Sequence, residues 1–166
     1  MNLVSSTFFS ILVNGSPSNP FNASGGIRQR DPISPFLLII AVKGLGRMLK
    51  SRRAVKKIQG SSLTARMDPQ THQQFMDDNM LMGSSSVQEA RGIKDSLNIS
   101  LEASGLEINK EKSQTYFFNT PVITKRNILR ILEFSEGILP SKYLGAPLAE
   151  SNIRQISWKE LLDKFK

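Results

Sequence analysis

The stretch QQFMDDNMLMG, residues 73–83, decides how the rest of this chain is read. Phe75-Met76 and Met80-Leu81-Met82 flank the polar triplet Asp77-Asp78-Asn79, so two apolar arms meet at turn chemistry and the pattern predicts a strand–turn–strand hairpin. Along a regular strand neighbouring side chains face opposite sides, whereas a tight turn rotates the backbone and lets both carboxylates reach one cavity. Such carboxylates repel each other unless a divalent cation lies between them. Mg²⁺ accepts one or two protein carboxylates and completes its octahedron with water and substrate phosphate. Two-metal phosphoryl transfer makes that demand. Taken alone, an Asp-Asp dipeptide is more simply a solvated turn. A calcium loop starting at Asp78 would put Gly83 sixth and Glu89 twelfth, but Met80 and Met82 then hold the third and fifth places and offer no hard oxygen.

Outward from the hairpin, the periodicity sets a simple order. Thr7 to Asn14 is rich in aromatic and β-branched residues and predicts a strand that turns at Gly15-Ser16-Pro17, with Pro20 to Ser24 as a returning arm. Gly25-Gly26 breaks this pattern. Asp31-Pro32-Ile33-Ser34-Pro35 opens a helix whose prolines are tolerated only in the first turn. Phe36 to Lys50 then reads as a largely buried helix with a basic C-terminal end, weakened locally by Gly44 and Gly46. Ser86 to Glu89 has capping-box spacing, and the helix it starts, with Ile93, Leu97 and Leu101 on one face, should end at Gly105. Gln114 to Phe118 is a short strand, Thr124 to Leu132 a short helix, and Tyr143 to Leu148 an extended segment. Ser157 to Glu160 caps a last helix. The sum is α+β, with helices on one face of an antiparallel sheet.

Composition narrows the chemistry. Among 166 residues there is no cysteine and one histidine, His72, which excludes a thiolate metal site, a cysteine nucleophile and a multi-histidine centre. Any metal must be a hard cation held by carboxylate oxygen. The net charge of +8 favours polyanionic partners. It is concentrated: residues 28–66 carry ten bases against Asp31 alone, whereas residues 67–107 carry seven acids and two bases. A basic stretch beside an acidic one suits a polyanion backbone next to a cation pocket. No run approaches the ~18 apolar residues of a membrane span, and Met1 to Val13 lacks the basic start of a signal peptide. The expectation is a soluble intracellular chain without membrane contact.

Five segments, in this order, resemble the reverse transcriptase domain of plant-type non-LTR (long interspersed) retrotransposons. Phe9 to Pro17 (FSILVNGSP) is similar to the strand–turn before the family's second conserved block. Gly26 to Leu37 (GIRQRDPISPFL) is similar to that block, and Phe75 to Asp78 (FMDD) resembles the catalytic box. Ser104 to Ser113 (SGLEINKEKS) and Lys142 to Leu148 (KYLGAPL) resemble the next block and the stretch after it. The resemblance implies a partial polymerase palm plus a finger segment, acting on an RNA template, a DNA primer and a deoxynucleoside triphosphate with two Mg²⁺. It implies one domain over 1–166, divided into a finger/palm segment at 1–66, a palm segment with the hairpin at 67–120 and a palm-to-thumb segment at 121–166. A nuclear location is compatible with it. Asp77 and Asp78 would be the catalytic carboxylates and Mg²⁺ ligands, Asp77 the firmer. Arg28 and Gln29 would line the incoming nucleotide and template. Lys112 would contact the triphosphate or protonate pyrophosphate, and Tyr143 and Gly145 would lie at a primer-gripping turn. By themselves Gln29 reads as a loop amide, Lys112 as a solvated lysine, Tyr143 as a core aromatic and His72 as a polar strand-edge residue.

Three departures from the family stand out. The block F-D-x-x-x-A-[FY]-D, which supplies a third carboxylate, should precede Gln29, yet residues 1–27 contain no Asp or Glu. Arg30 replaces a glycine where backbone approaches substrate, and Lys43 stands where relatives are often acidic. Such marks fit a decayed or truncated copy, and the isolated chain is expected to be inactive because positioning and electrostatics supply nearly all of phosphoryl-transfer catalysis. A basic nucleic-acid-binding remnant is the alternative.

Overall fold

The computed structural model describes residues 8–22, 31–62 and 67–149. Arg28, Gln29 and Arg30, the Gly25-Gly26 break and the helix expected from Ser157 lie outside those residues. The described residues form two compact units. One is drawn from positions up to Gly83 with Gly92–Ile108, the other from Ser84–Arg91 with positions from Asn109 onward.

The first unit opens with an interrupted hairpin. Strands β1 (Phe8–Phe9) and β2 (Leu12–Val13) run up, and β3 (Ser16–Pro17) and β4 (Phe21–Asn22) return, with Val13 opposite Ser16 and Phe9 opposite Phe21. The turn is Asn14-Gly15, both at positive φ (52° and 82°), rather than Gly15-Ser16-Pro17. Asn-Gly is the dipeptide a two-residue turn with two left-handed positions selects, and Pro17 is drawn into the returning strand. Three residues, Ser18 to Pro20, face two on the other arm. Ser18 bridges this bulge, accepting from Ile11 N at 3.0 Å through its Oγ and from Ser10 Oγ at 2.6 Å through its carbonyl.

Helix α1 (Ser34–Ala54) follows. Asp31 prepares it: its carboxylate accepts from Ile33 N at 3.0 Å and its carbonyl from Ser34 N at 3.1 Å. Pro35 sits in the first turn, where its missing N–H costs nothing. Lys56, at φ +57°, ends the helix, with Lys57 N donating to Arg52 O at 2.9 Å. The expectation of a largely buried helix is corrected here. Leu45, Gly46 and Leu49 are buried, but Phe36 and Ile40 are 65% and 67% exposed. Apolar residues surround the N-terminal half, yet among the described residues packing covers one face only.

Helix α2 (Val87–Ser104) behaves as its caps dictate: Ser86 Oγ accepts from Glu89 N at 3.1 Å, and Gly105, at φ +68°, closes it. Within the first unit, α2 presses Gly92 against the Lys57-Ile58 segment, where a Cβ would lie 2.9 Å from Ile58 Cγ1. Leu45, Leu49, Ile58 and Leu97 form this unit's core.

The second unit holds helix α3 (Val122–Leu132), two residues longer than its sequence pattern predicts, and a core that includes Phe117, Ile128 and Leu132. Strand β7 (Gln114–Thr115) pairs in parallel with β8 (Ser135–Glu136), and β9 (Ser141–Tyr143) pairs antiparallel with β10 (Ala146–Leu148). The architecture is α+β, as the sequence implies. The single antiparallel sheet is not what the described residues build: each ladder has two strands, one of them parallel. The antiparallel arms are joined by their own tight turns, so backbone pairing is satisfied between near neighbours in sequence.

Candidate active site

The hairpin expected at residues 73–83 is strands β5 (His72–Phe75) and β6 (Asp78–Leu81), extended by Met82 N donating to Thr71 O at 2.9 Å. Its register sets Phe75 opposite Asp78, Gln74 opposite Asn79 and His72 opposite Leu81. The loop is therefore Met76-Asp77, with Met76 at φ +52°, and not Asp77-Asp78-Asn79. Packing explains the shift. Residues opposite one another share a face, so His72, Gln74, Asn79 and Leu81 point one way and Phe75 and Asp78 the other. A one-residue slip of either strand would reverse the faces of that strand's side chains.

The first face rests on α1 at Gly46. An ideal Cβ there would come 2.7 Å from His72 Nε2 and 3.1 Å from Gln74 Oε1. His72 Nδ1 bonds Thr71 Oγ1 at 2.8 Å, and Thr71 is itself buried. Burial, with the nearby Lys50 charge adding to it, holds the His72 imidazole below its ordinary pKa of 6.5, so it packs as a neutral ring. Gln74 Nε2 is buried without a hydrogen-bond partner among the described residues. His72 is thus a polar residue on an edge strand, as expected, that also packs against the helix and positions the hairpin. Nothing in its sequence neighbourhood signals this beyond the alternation of the strand.

Asp77 occupies the exposed tip and Asp78 the first position of the returning strand, on the face away from Gly46. Asn79 Nδ2 donates to Asp77 O at 3.2 Å and closes the turn. Both carboxylates are exposed and adjacent, a hard-oxygen pair that fits one Mg²⁺ retaining water. No group of three or more His, Cys, Asp or Glu able to hold a metal occurs among the described residues, so they do not assemble a two-cation cage.

Lys112, Tyr143 and Gly145 lie in the second unit. Lys112 is exposed in a turn where its N–H donates to Asn109 Oδ1 at 3.1 Å. Tyr143 ends β9, and Leu144-Gly145, at φ +51° and +81°, make the two-residue turn into β10. Tyr143 to Leu148 is therefore a hairpin turn and strand, not one extended segment. Arg28 and Gln29 fall outside the described residues.

Matched to known families, the chain fits the reverse transcriptase (RNA-dependent DNA polymerase) family over residues 2–148, and it belongs to that family.

Proposed function

We propose that this chain is the catalytic-box portion of a reverse transcriptase domain of the plant-type non-LTR kind, and that it does not polymerise by itself. The reading is carried by one observation: in a chain of this family, Asp77 and Asp78 sit at a two-residue turn whose hairpin is seated on α1 through Gly46. In this reading the two carboxylates hold Mg²⁺ against a deoxynucleoside triphosphate. When bound, Mg²⁺ stabilises charge on the attacking and leaving oxygens. Lys112 offers a cation to the triphosphate, Arg28 and Gln29 line nucleotide and template, and Tyr143 and Gly145 meet the primer. The 1–66, 67–120 and 121–166 segments take the finger/palm, palm and palm-to-thumb roles. Inactivity of residues 1–166 taken alone follows from the carboxylate count, since residues 1–30 hold no Asp or Glu to complete the cation ligands.

Mn²⁺ as a paramagnetic probe should broaden the amide resonances of residues 75–80, and Asp77→Asn with Asp78→Asn should abolish the broadening. Primer extension on an RNA template with Mg²⁺ should give no product. Unbroadened tip resonances would overturn the cation site, and extension abolished by Asp77→Ala would overturn the inactivity. A second reading, nucleic-acid binding without chemistry, is favoured by the ten bases in residues 28–66.

A further inference from the structure

Helix α1 carries five bases and no acid over 21 residues. Arg52 turns to Asp95 at 3.9 Å, but Lys43, Arg47 and Lys50 are exposed. They stand four and three residues apart, which places them on one stripe of the helix. Continued toward the N-terminus, the same spacing reaches Ile40 and Phe36, both exposed, while Leu45 and Leu49 occupy the opposite, buried face. An open cavity of about 260 Å³ lined by Lys50, Arg53 and Ala54 lies at the other end of the stripe.

The helix dipole does not account for these charges. It favours cations within the last turn, where Arg52 and Arg53 already stand, whereas Arg47 and Lys43 lie about one and a half and two and a half turns before Arg52. Like charges at these spacings repel and weaken a helix, so the stripe is strained until an anion covers it. A second copy of the chain is a poor cover, because a two-fold contact along the stripe would set its bases against themselves. A lipid surface fits no better. A helix lying in a membrane carries its apolar face along its whole length, but here apolar and basic residues follow one another end to end and the opposite face is core. One aromatic platform followed by a line of cations is how single-stranded nucleic acid is held, a base on the ring and phosphates along the charges.

We infer that the Phe36–Lys43–Arg47–Lys50 stripe of α1 is a docking track for a single nucleic-acid strand, separate from the acidic tip, with Phe36 stacking a base and the three cations contacting successive phosphates. This rests on the nucleic-acid-binding reading above and not on chemistry at Asp77. The test is anisotropy of a fluorescein-labelled 20-nucleotide RNA with the full chain, without divalent cation, across a salt series. Lys43→Gln/Arg47→Gln/Lys50→Gln should flatten the slope of log K against log salt by about two, at ~0.7 per neutralised phosphate. Phe36→Ala should lower affinity about tenfold and leave the slope unchanged. The control Lys110→Gln/Arg126→Gln/Arg130→Gln removes the same charge from exposed positions elsewhere and should leave the slope near wild type. Relief of like-charge repulsion means the stripe variant should melt no lower than wild type, and the single Arg47→Gln change, flattening the slope by about 0.7, supplies an independent reading. Equal losses in stripe and control variants would overturn the track while leaving nucleic-acid binding intact. No binding by the wild type would overturn both. Tighter binding to phosphatidylserine vesicles than to RNA, lost in the stripe variant, would also overturn it.

Discussion

Replacing the two glycines of α1 one at a time should affect stability differently: a gain at Gly44, and no gain or a loss at Gly46. Both Gly44 and Gly46 lie inside the helix, and alanine at either gains about 1 kcal/mol of helix propensity. At Gly44 nothing stands within 4 Å of the added methyl, so Gly44→Ala should stabilise by about that amount. At Gly46 the methyl arrives 2.7 Å from His72 Nε2 and 3.1 Å from Gln74 Oε1. Those side chains cannot retreat freely, because His72 is tied to buried Thr71 at 2.8 Å and both belong to the paired strand β5. Overpacking of this kind costs about 1–3 kcal/mol, which offsets the propensity gain or exceeds it by up to ~2 kcal/mol. The two variants should therefore differ by about 1–3 kcal/mol, or roughly 5 °C in Tm for a chain of this size. Circular-dichroism melts measure the difference, and hydrogen exchange of the peptide 72–81 should quicken in Gly46→Ala alone. Equal Tm gains with unchanged hairpin protection would refute the claim that the acidic hairpin is seated on Gly46.

Two further outcomes follow from local contacts. With the folded His72 pKa held below 6.5 by burial and then by Lys50, the folded chain binds fewer protons than the unfolded chain on the acid side. Its contribution to stability is complete above 6.5 and declines as pH falls from there toward the folded value. His72→Gln should flatten this slope in Tm between about pH 7.5 and 5.5, and a wild-type Tm that rises on acidification relative to the variant would contradict it. In the second unit, a Cβ at Gly137 would meet the Tyr116 ring, which is held through its hydroxyl by Gln114 Oε1 at 2.7 Å and Ser141 Oγ at 2.9 Å. Gly137→Ala should cost about 1–3 kcal/mol in urea denaturation, and the loss should vanish in a Tyr116→Ala background; a persistent loss there would place the cause elsewhere.

Signals confined to a few residues were legible without coordinates. Ser86 and Gly105 mark the ends of α2 because a hydroxyl acceptor and a left-handed residue satisfy backbone groups that every helix leaves open. The α+β class and the reverse transcriptase family were legible too, the second from the order of short blocks along the chain. Errors arose where a local preference met a distant partner. Asp77-Asp78-Asn79 has the best turn composition, yet the turn is Met76-Asp77 because that register directs His72 and Gln74 onto Gly46. Phe36 and Ile40 read as core, yet they are exposed because, among the described residues, α1 meets neighbours on one side only. The pairing of β7 with β8 joins residues about twenty positions apart, and no local pattern announces a parallel partner.

The amino-acid sequence by itself determined the family, the acidic pair at a hairpin and the basic stretch before it, since each depends on residue type and near spacing. Tertiary structure alone decided which face of the hairpin carries Asp78, why Gly46 differs from Gly44, and which cations of α1 line up outward. Those outcomes depend on what lies opposite in space, and a side chain's cost or benefit there is set by atoms far away along the chain.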